Sequence, residues 1–143
     1  MKKVLFVALI SVLSLSVFAK GKQPVAFKNL PEPVQEEVKK NFTEKQIQFI
    51  TSKKELGRLH YTFVLDDDTK FVYDNKAQLR RIEDKKGVQD VFIPEKVLQY
   101  VQTTFPNTTI TNFKRESGCL KVELNDKMTL VFKKNGKFLR IDD

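Results

Sequence analysis

The strongest constraint on this chain is that its second half repeats its first. Leu30-Pro31-Glu32-Pro33-Val34 returns as Ile93-Pro94-Glu95-Lys96-Val97, and at the same spacing of 63 residues Val38, Phe42 and Ile47 match Val101, Phe105 and Ile110. A four-residue difference, expected in a loop, then changes the spacing to 59. At that spacing Phe63-Val64-Leu65 matches Val122-Glu123-Leu124, and Phe71-Val72-Tyr73 matches Leu130-Val131-Phe132. Leu79-Arg80-Arg81-Ile82-Glu83-Asp84 matches Phe138-Leu139-Arg140-Ile141-Asp142-Asp143. Apolar positions that agree across a whole unit with one gap signal two copies of one supersecondary block. Whatever fold the first block takes, the second must take as well.

Each block opens with a helix. Pro31 and Pro94 stand where a first-turn proline costs nothing, because that N–H has no helical partner. Val34, Val38 and Phe42, like Val97, Val101 and Phe105, recur every four residues and make one apolar stripe per helix. Pro106 stops the second helix, whereas Thr43 holds that place in the first. Period-two alternation follows: Tyr61, Phe63 and Leu65 against Thr62 and Val64, and Leu120, Val122 and Leu124 against Lys121 and Glu123. Such alternation describes a sheet with one covered face. Asp66-Asp67-Asp68, Asn125-Asp126-Lys127, Asn75-Lys76-Ala77 and Asn135-Gly136-Lys137 supply hairpin turns. An earlier strand is expected over about 46–54 and about 108–115. The fold class is therefore α+β: two tandem repeats, each a helix followed by a four-stranded antiparallel meander, with the helices on one sheet face. The repeats span 29–84 and 92–143, with linkers at 20–28 and 85–91. One conflict stands out. Leu79 and Ile82 cannot both face inward under strict alternation, nor can Phe138 and Ile141, and a bulge or burial of both faces would resolve it.

Residues 1–19 read as a secretory signal peptide. Lys2 and Lys3 precede an apolar stretch from Val4 to Phe18 that closes on Val17-Phe18-Ala19. About fifteen apolar residues fall short of the roughly twenty a membrane helix needs, so a cleaved leader fits better than an anchor, and no membrane span is expected. The protein is expected to be periplasmic or secreted. Removing Lys2 and Lys3 lowers the formal net charge from +8 to +6. A positive surface attracts anionic glycans, lipids or acidic proteins. The basic residues nonetheless come in runs of two at most, which reads as a solvated surface and argues against nucleic acid. Cys119 is the single cysteine, so no intrachain disulfide can form and stability must come from a packed core, to which most of the twelve phenylalanines, those outside the leader, can contribute.

The order Leu-Pro, amphipathic helix ending in Phe, Ile, Val-x-Leu strand, turn, apolar-Val-aromatic strand and closing Gly-Lys-Phe-Leu-Arg-Ile resembles the PepSY-like family. The resemblance runs from about Lys28 to Asp143. It implies tandem units in an exported bacterial protein, an architecture similar to the beta-lactamase inhibitory protein, and inhibitor-like binding. Phe105-Pro106 and Asn135-Gly136-Lys137-Phe138 follow the pattern; Thr43 and Ala77 depart from it in the first unit, at the helix-ending proline and the turn glycine.

No catalytic signature accompanies this frame. The single histidine, His60, lacks any Gly-x-Ser-x-Gly nucleophile turn, and reads as a half-exposed strand residue. His60 and Cys119 occupy equivalent positions at the 59 spacing, but two ligands fall short of a zinc site. Asp66-Asp67-Asp68 lacks the spacing of a calcium loop and reads as a solvated turn. Neither an enzyme activity, a metal nor a cofactor is expected. The site expected from alternation is the sheet face away from the helices, carrying Thr62, Val64, Val72, Lys121, Glu123 and Val131, with the three valines exposed among charges. Such a surface suits protein binding. The expected function is a binding module, an inhibitor of an envelope or secreted enzyme being one form of it. The alternative partner is an anionic glycan, lipid or small ligand held by the basic surface.

Overall fold

The computed structural model describes residues 21–142. The expected leader at 1–19 lies outside the described residues. In chain order the elements are β1 (Lys22–Pro24), α1 (Glu32–Asn41), β2 (Ile47–Glu55), β3 (Arg58–Leu65), β4 (Lys70–Asp74), β5 (Leu79–Glu83), α2 (Glu95–Thr104), β6 (Ile110–Glu116), β7 (Cys119–Leu124), β8 (Thr129–Lys133) and β9 (Phe138–Asp142). The nine strands form one sheet in chain order, every neighbouring pair antiparallel. The described chain is thus α+β: an antiparallel sheet with two helices.

Both helices begin directly after a proline, and the apolar stripe is what they bury. Val34 and Val38 of α1 and Val97 and Val101 of α2 are almost wholly removed from water. Each helix stops one residue before its phenylalanine, whose N–H still reaches back to the carbonyl of Val38 or Val101. Thr43 replaces the stopping proline by starting a new turn: its N–H donates to Gln46 Oε1 at 2.9 Å, closing a capping box. Against the helices lie Phe63, Phe71, Tyr73, Phe113, Val122 and Phe132, all buried. Burial pushes the Tyr73 phenol up to about 12, and the nearby Glu37 charge adds to it.

The conflict in the last strands is resolved by bulges. The pairing shifts between Val72 and Tyr73, so Arg80 is the extra residue and both Leu79 and Ile82 turn inward. The same shift between Val131 and Phe132 makes Leu139 the extra residue in β9. Two further bulges, at Gln48 in β2 and Thr111 in β6, fall 63 residues apart.

Three expectations need correction. The four-residue difference is no loop insertion: β2 and β3 have nine and eight residues where β6 and β7 have seven and six. Two residues close each hairpin, Leu56-Gly57 and Ser117-Gly118, so the first hairpin is simply two residue pairs longer. The stretch 20–28 is no free linker, because Lys22–Pro24 pairs with Thr51–Lys53 of β2 as an edge strand. Residues 85–91 are tied down too: Val88 is buried and its N–H donates to the Ile110 carbonyl at 2.8 Å.

The turns after β4 and β8 share one hydrogen-bond plan. Ala77 N–H donates to the Asp74 carbonyl and Gly136 N–H to the Lys133 carbonyl, while the N–H groups of Asp74 and Lys133 donate to the carbonyls of Gln78 and Lys137. The plan puts one residue in the left-handed region: Gly136 at φ 90° and Ala77 at φ 64°. A side chain there costs about 1–2 kcal/mol. Ala77→Gly should therefore raise stability by up to about 1 kcal/mol, part of the relief being lost to the freer unfolded chain. Gly136→Ala should destabilise, since its Cβ would also stand 2.8 Å from Lys96 Cβ of α2. Urea midpoints of the two variants check the pair of opposite signs.

Candidate functional site: the open sheet face

Alternation and register place one set of side chains on the face that the helices leave uncovered. Thr62 sits beside Val72 across β3–β4, and Val72 beside Arg81 across β4–β5. Further along, Arg81 sits beside Lys114, Lys114 beside Lys121, Lys121 beside Val131 and Val131 beside Arg140. Thr62, Val64, Val72, Lys121, Glu123 and Val131 all fall on this face. Direction and exposure are different matters, however. Thr62, Val72, Lys121 and Glu123 are half-buried, whereas Val64 is only 7 % exposed and Val131 not at all. The expectation of three exposed valines is thus corrected. Val131 has Lys121 on one side and Arg140 on the other, and long aliphatic stems cover a short residue between them while their charged ends stay in water. Val64 is similarly flanked by Phe49 and Lys70.

Charge, not valine, is what the face presents. Lys53 pairs with Glu55 at 2.8 Å, Arg81 with Glu83 at 3.1 Å, and Lys114 with Glu116 at 3.0 Å. Lys121 bridges Glu116 at 3.4 Å and Asp142 at 3.8 Å, and Arg140 holds Asp142 at 2.9 Å. A hydrogen bond from Lys114, with further help from Lys121, holds the Glu116 carboxyl below the usual range. Lys53 does the same for Glu55. Each such exposed pair adds little stability; together they fix side-chain positions across the face. The centre is less balanced. Arg81 on β5, the middle strand, lies directly across from Lys114, and its Nε–H is buried with no acceptor.

One residue of this face escaped the sequence reading. Phe49 is 42 % exposed and pairs with Val64 on the open side. The bulge at Gln48 turns it outward while Ile47 and Ile50 stay inward. The signal was present, because Ile47, Phe49 and Ile50 cannot share a face under strict alternation.

His60 and Cys119 also lie on the open side, but on β3 and β7, four strands apart. At about 4.8 Å per strand they are roughly 19 Å apart, too far to share an ion. Among the described residues no three His, Cys, Asp or Glu side chains gather closely enough to hold a metal. In the Asp66-Asp67-Asp68 turn Asp67 is engaged locally: Thr69 N–H donates to its Oδ1 at 3.0 Å, and hydrogen bonds from Thr69 hold its carboxyl below the usual range. On the helix side a cleft of about 280 Å³ opens between the end of α1, the turn at 66–69 and the segment before α2, over Phe42, Phe71 and Phe92.

No curated protein matches the chain. Three crystal structures share the fold. A Bacteroides vulgatus protein described as "a putative periplasmic protein of unknown function" aligns with TM-score 0.78 and 21 % identity over 86 % of this chain and 100 % of its own. A second Bacteroides vulgatus "putative periplasmic protein" gives TM-score 0.77 and 19 % identity over 88 % of this chain and all of the other. A "putative calcium-regulated periplasmic protein" of Bacteroides thetaiotaomicron gives 0.76 and 20 % over 85 % of this chain and 97 % of its own. At these identities the likeness establishes the fold alone. A family model described as "Putative beta-lactamase-inhibitor-like, PepSY-like" matches twice, over residues 18–81 and 80–140. Two consecutive matches across nearly all of the described residues agree with the duplication in the sequence, and the chain belongs to this PepSY-like family.

Proposed function

We propose that the chain is an exported, non-enzymatic binding module that holds an envelope or secreted protein against its open sheet face. In this reading it is built from two copies of a helix and a four-stranded meander. The equivalent bulges, at Gln48 and Thr111 and at Arg80 and Leu139, support that duplication beyond the apolar pattern. The leader at 1–19 and the periplasmic description of the three structural neighbours support export to the periplasm. An inhibitor-like family description supports protein binding over catalysis.

The observation that carries the reading is the contrast between the two faces. The helices cover one face of the sheet, while the other presents an ordered array of six ion pairs with Phe49 at one side. Fixed charges of both signs give a partner register and a fast approach, and an aromatic or arginine near the centre supplies the local energy. Phe49 and Arg81 are the anchors this face offers. Arg81 beside Lys114, with an Nε–H that lacks an acceptor, also favours the second reading, an anionic glycan, lipid or small ligand.

Immobilised protein exposed to envelope extract separates these readings. Charge reversal of Arg81 and Lys114 to Glu should abolish capture of a protein partner, whereas reversal of Lys39 and Lys40 on α1 should leave it intact. Capture that survives the first pair and fails with the second contradicts the open-face reading. Raising salt distinguishes the ligands: screening shortens to about 3 Å at 1 M, so an anionic glycan or lipid should be released, while a protein anchored on Phe49 should remain.

A further inference from the structure

Strand β9 has a neighbour on one side only among the described residues, and the molecule itself shows what belongs on the other. In the first half the equivalent strand is β5, and its outer side is filled by β6: Arg81, Ile82 and Glu83 pair with Lys114, Phe113 and Asn112. Ile82 is 1 % exposed, in a core cluster that also takes in Val88 and Phe92 of the segment before α2. Ile141 stands 59 residues on, in the same register against β8 as Ile82 holds against β4, yet it is 44 % exposed. Leu139 beside it is 42 % exposed. Among the described residues Ile141 has neither an outer strand nor a segment like 88–93 against it. The bulge before it does not prevent pairing, because β5 carries the same bulge and pairs beyond it.

We infer that β9 is a docking edge for a second copy of this chain, through antiparallel β9–β9 pairing about a two-fold axis at Ile141. The sequence of the strand supplies the argument. Centred on Ile141, antiparallel pairing sets Arg140 of each copy against Asp142 of the other, with Ile141 against Ile141. Opposite charges directly across a strand pair stabilise it, and like charges do the reverse. Three residue pairs match the length of the β5–β6 ladder that serves as precedent. The far edge of the sheet offers no rival, since β1 has three residues, ends in Pro24, and carries Lys22, features that discourage edge pairing. A short, self-complementary edge binds itself weakly, so the dimer forms at high local concentration. Arg140 and Asp142 also pair within the chain at the margin of the open face, so the pairing would exchange that internal contact for one between copies.

Sedimentation velocity on the purified protein, from about 1 µM to about 500 µM, reads the association by mass action. A monomer–dimer equilibrium is expected. Arg140→Asp should weaken it at least about tenfold, as should Ile141→Lys, while Arg140→Asp combined with Asp142→Arg should restore it to within about threefold. In the unmodified chain, amide exchange at 140–142 should slow as concentration rises, a readout that needs no variant. A monomer throughout, including one that instead captures a foreign extended strand, overturns the proposal. So does a dimer indifferent to Arg140→Asp and Ile141→Lys, a charge swap that fails to restore pairing, or β9 exchange unaffected by concentration.

Discussion

Val131→Lys should destabilise the protein by about 3–5 kcal/mol, the range for leaving a charge without compensation in a buried place. Val131 faces the open side of β8, where alternation alone would forecast a harmless surface change, but it is fully buried. Its cross-strand neighbours Lys121 and Arg140 are both cationic. A third cation between them would be repelled by both, and its ammonium could reach water only by displacing the stems that cover the site. Lys121 would then leave Glu116 and Asp142, with which it pairs at 3.4 and 3.8 Å. Val72→Lys is the natural control. Val72 is half-buried beside Thr62 and Arg81, and the same replacement there should cost no more than about 1 kcal/mol. Urea unfolding at constant slope measures both. Equal small losses would mean that the charged stems do not seal the valine row.

Phe42→Ala should cost about 3 kcal/mol, the lower end of the range for removing a core phenylalanine. The ring is only half-buried, but it meets Phe71 at 4.4 Å and Phe92 at 6.3 Å, and those two meet each other at 5.4 Å. Phe92 precedes α2, so this triad fastens the start of the second half to the first. Aromatic pairs of this kind carry about 0.5–1.5 kcal/mol beyond burial. Phe42→Ala and Phe92→Ala should therefore be non-additive by about that amount in a double-mutant cycle. Additive losses would show the two rings acting separately, and a loss under about 1 kcal/mol for Phe42→Ala would place the ring outside the core.

The sequence reading succeeded where periodicity acts on buried positions. The valines at four-residue spacing form the helix stripes, and Phe63, Val122, Leu130 and Phe132 face the helices because the strand period leaves them no other side. The clash between Leu79 and Ile82 pointed to a bulge or to burial of both faces, the register decides for the bulge, and the same test applied to Ile47, Phe49 and Ile50 would have turned Phe49 outward. What alternation cannot supply is exposure. Val64, Val72 and Val131 all point the same way, yet their burial depends on the length of the residue in the next strand, which is a tertiary fact. Strand β1 had no apolar alternation to reveal it, since Lys-Gln-Pro is held by hydrogen bonds to β2. The four-residue difference between the halves could equally be a loop or a longer hairpin, and the register, with two residues closing each hairpin, decides for the longer one.

The central claim is that the open face, with its charged skin over buried valines, is where a partner sits. The direct measurement is a methyl-labelled NMR titration with the captured partner, because threonine, valine and leucine methyls report on both sides of the sheet. Thr62 and Val72 lie half-buried on the open face, while Leu98 on α2 and Val91 by the helix-side cleft report from the other. Shifts confined to Thr62, Val72 and the adjoining Val64 and Val131 are predicted. Shifts at Val91 and Leu98, with Thr62 and Val72 unmoved, would contradict the account and move the binding site to the helix side.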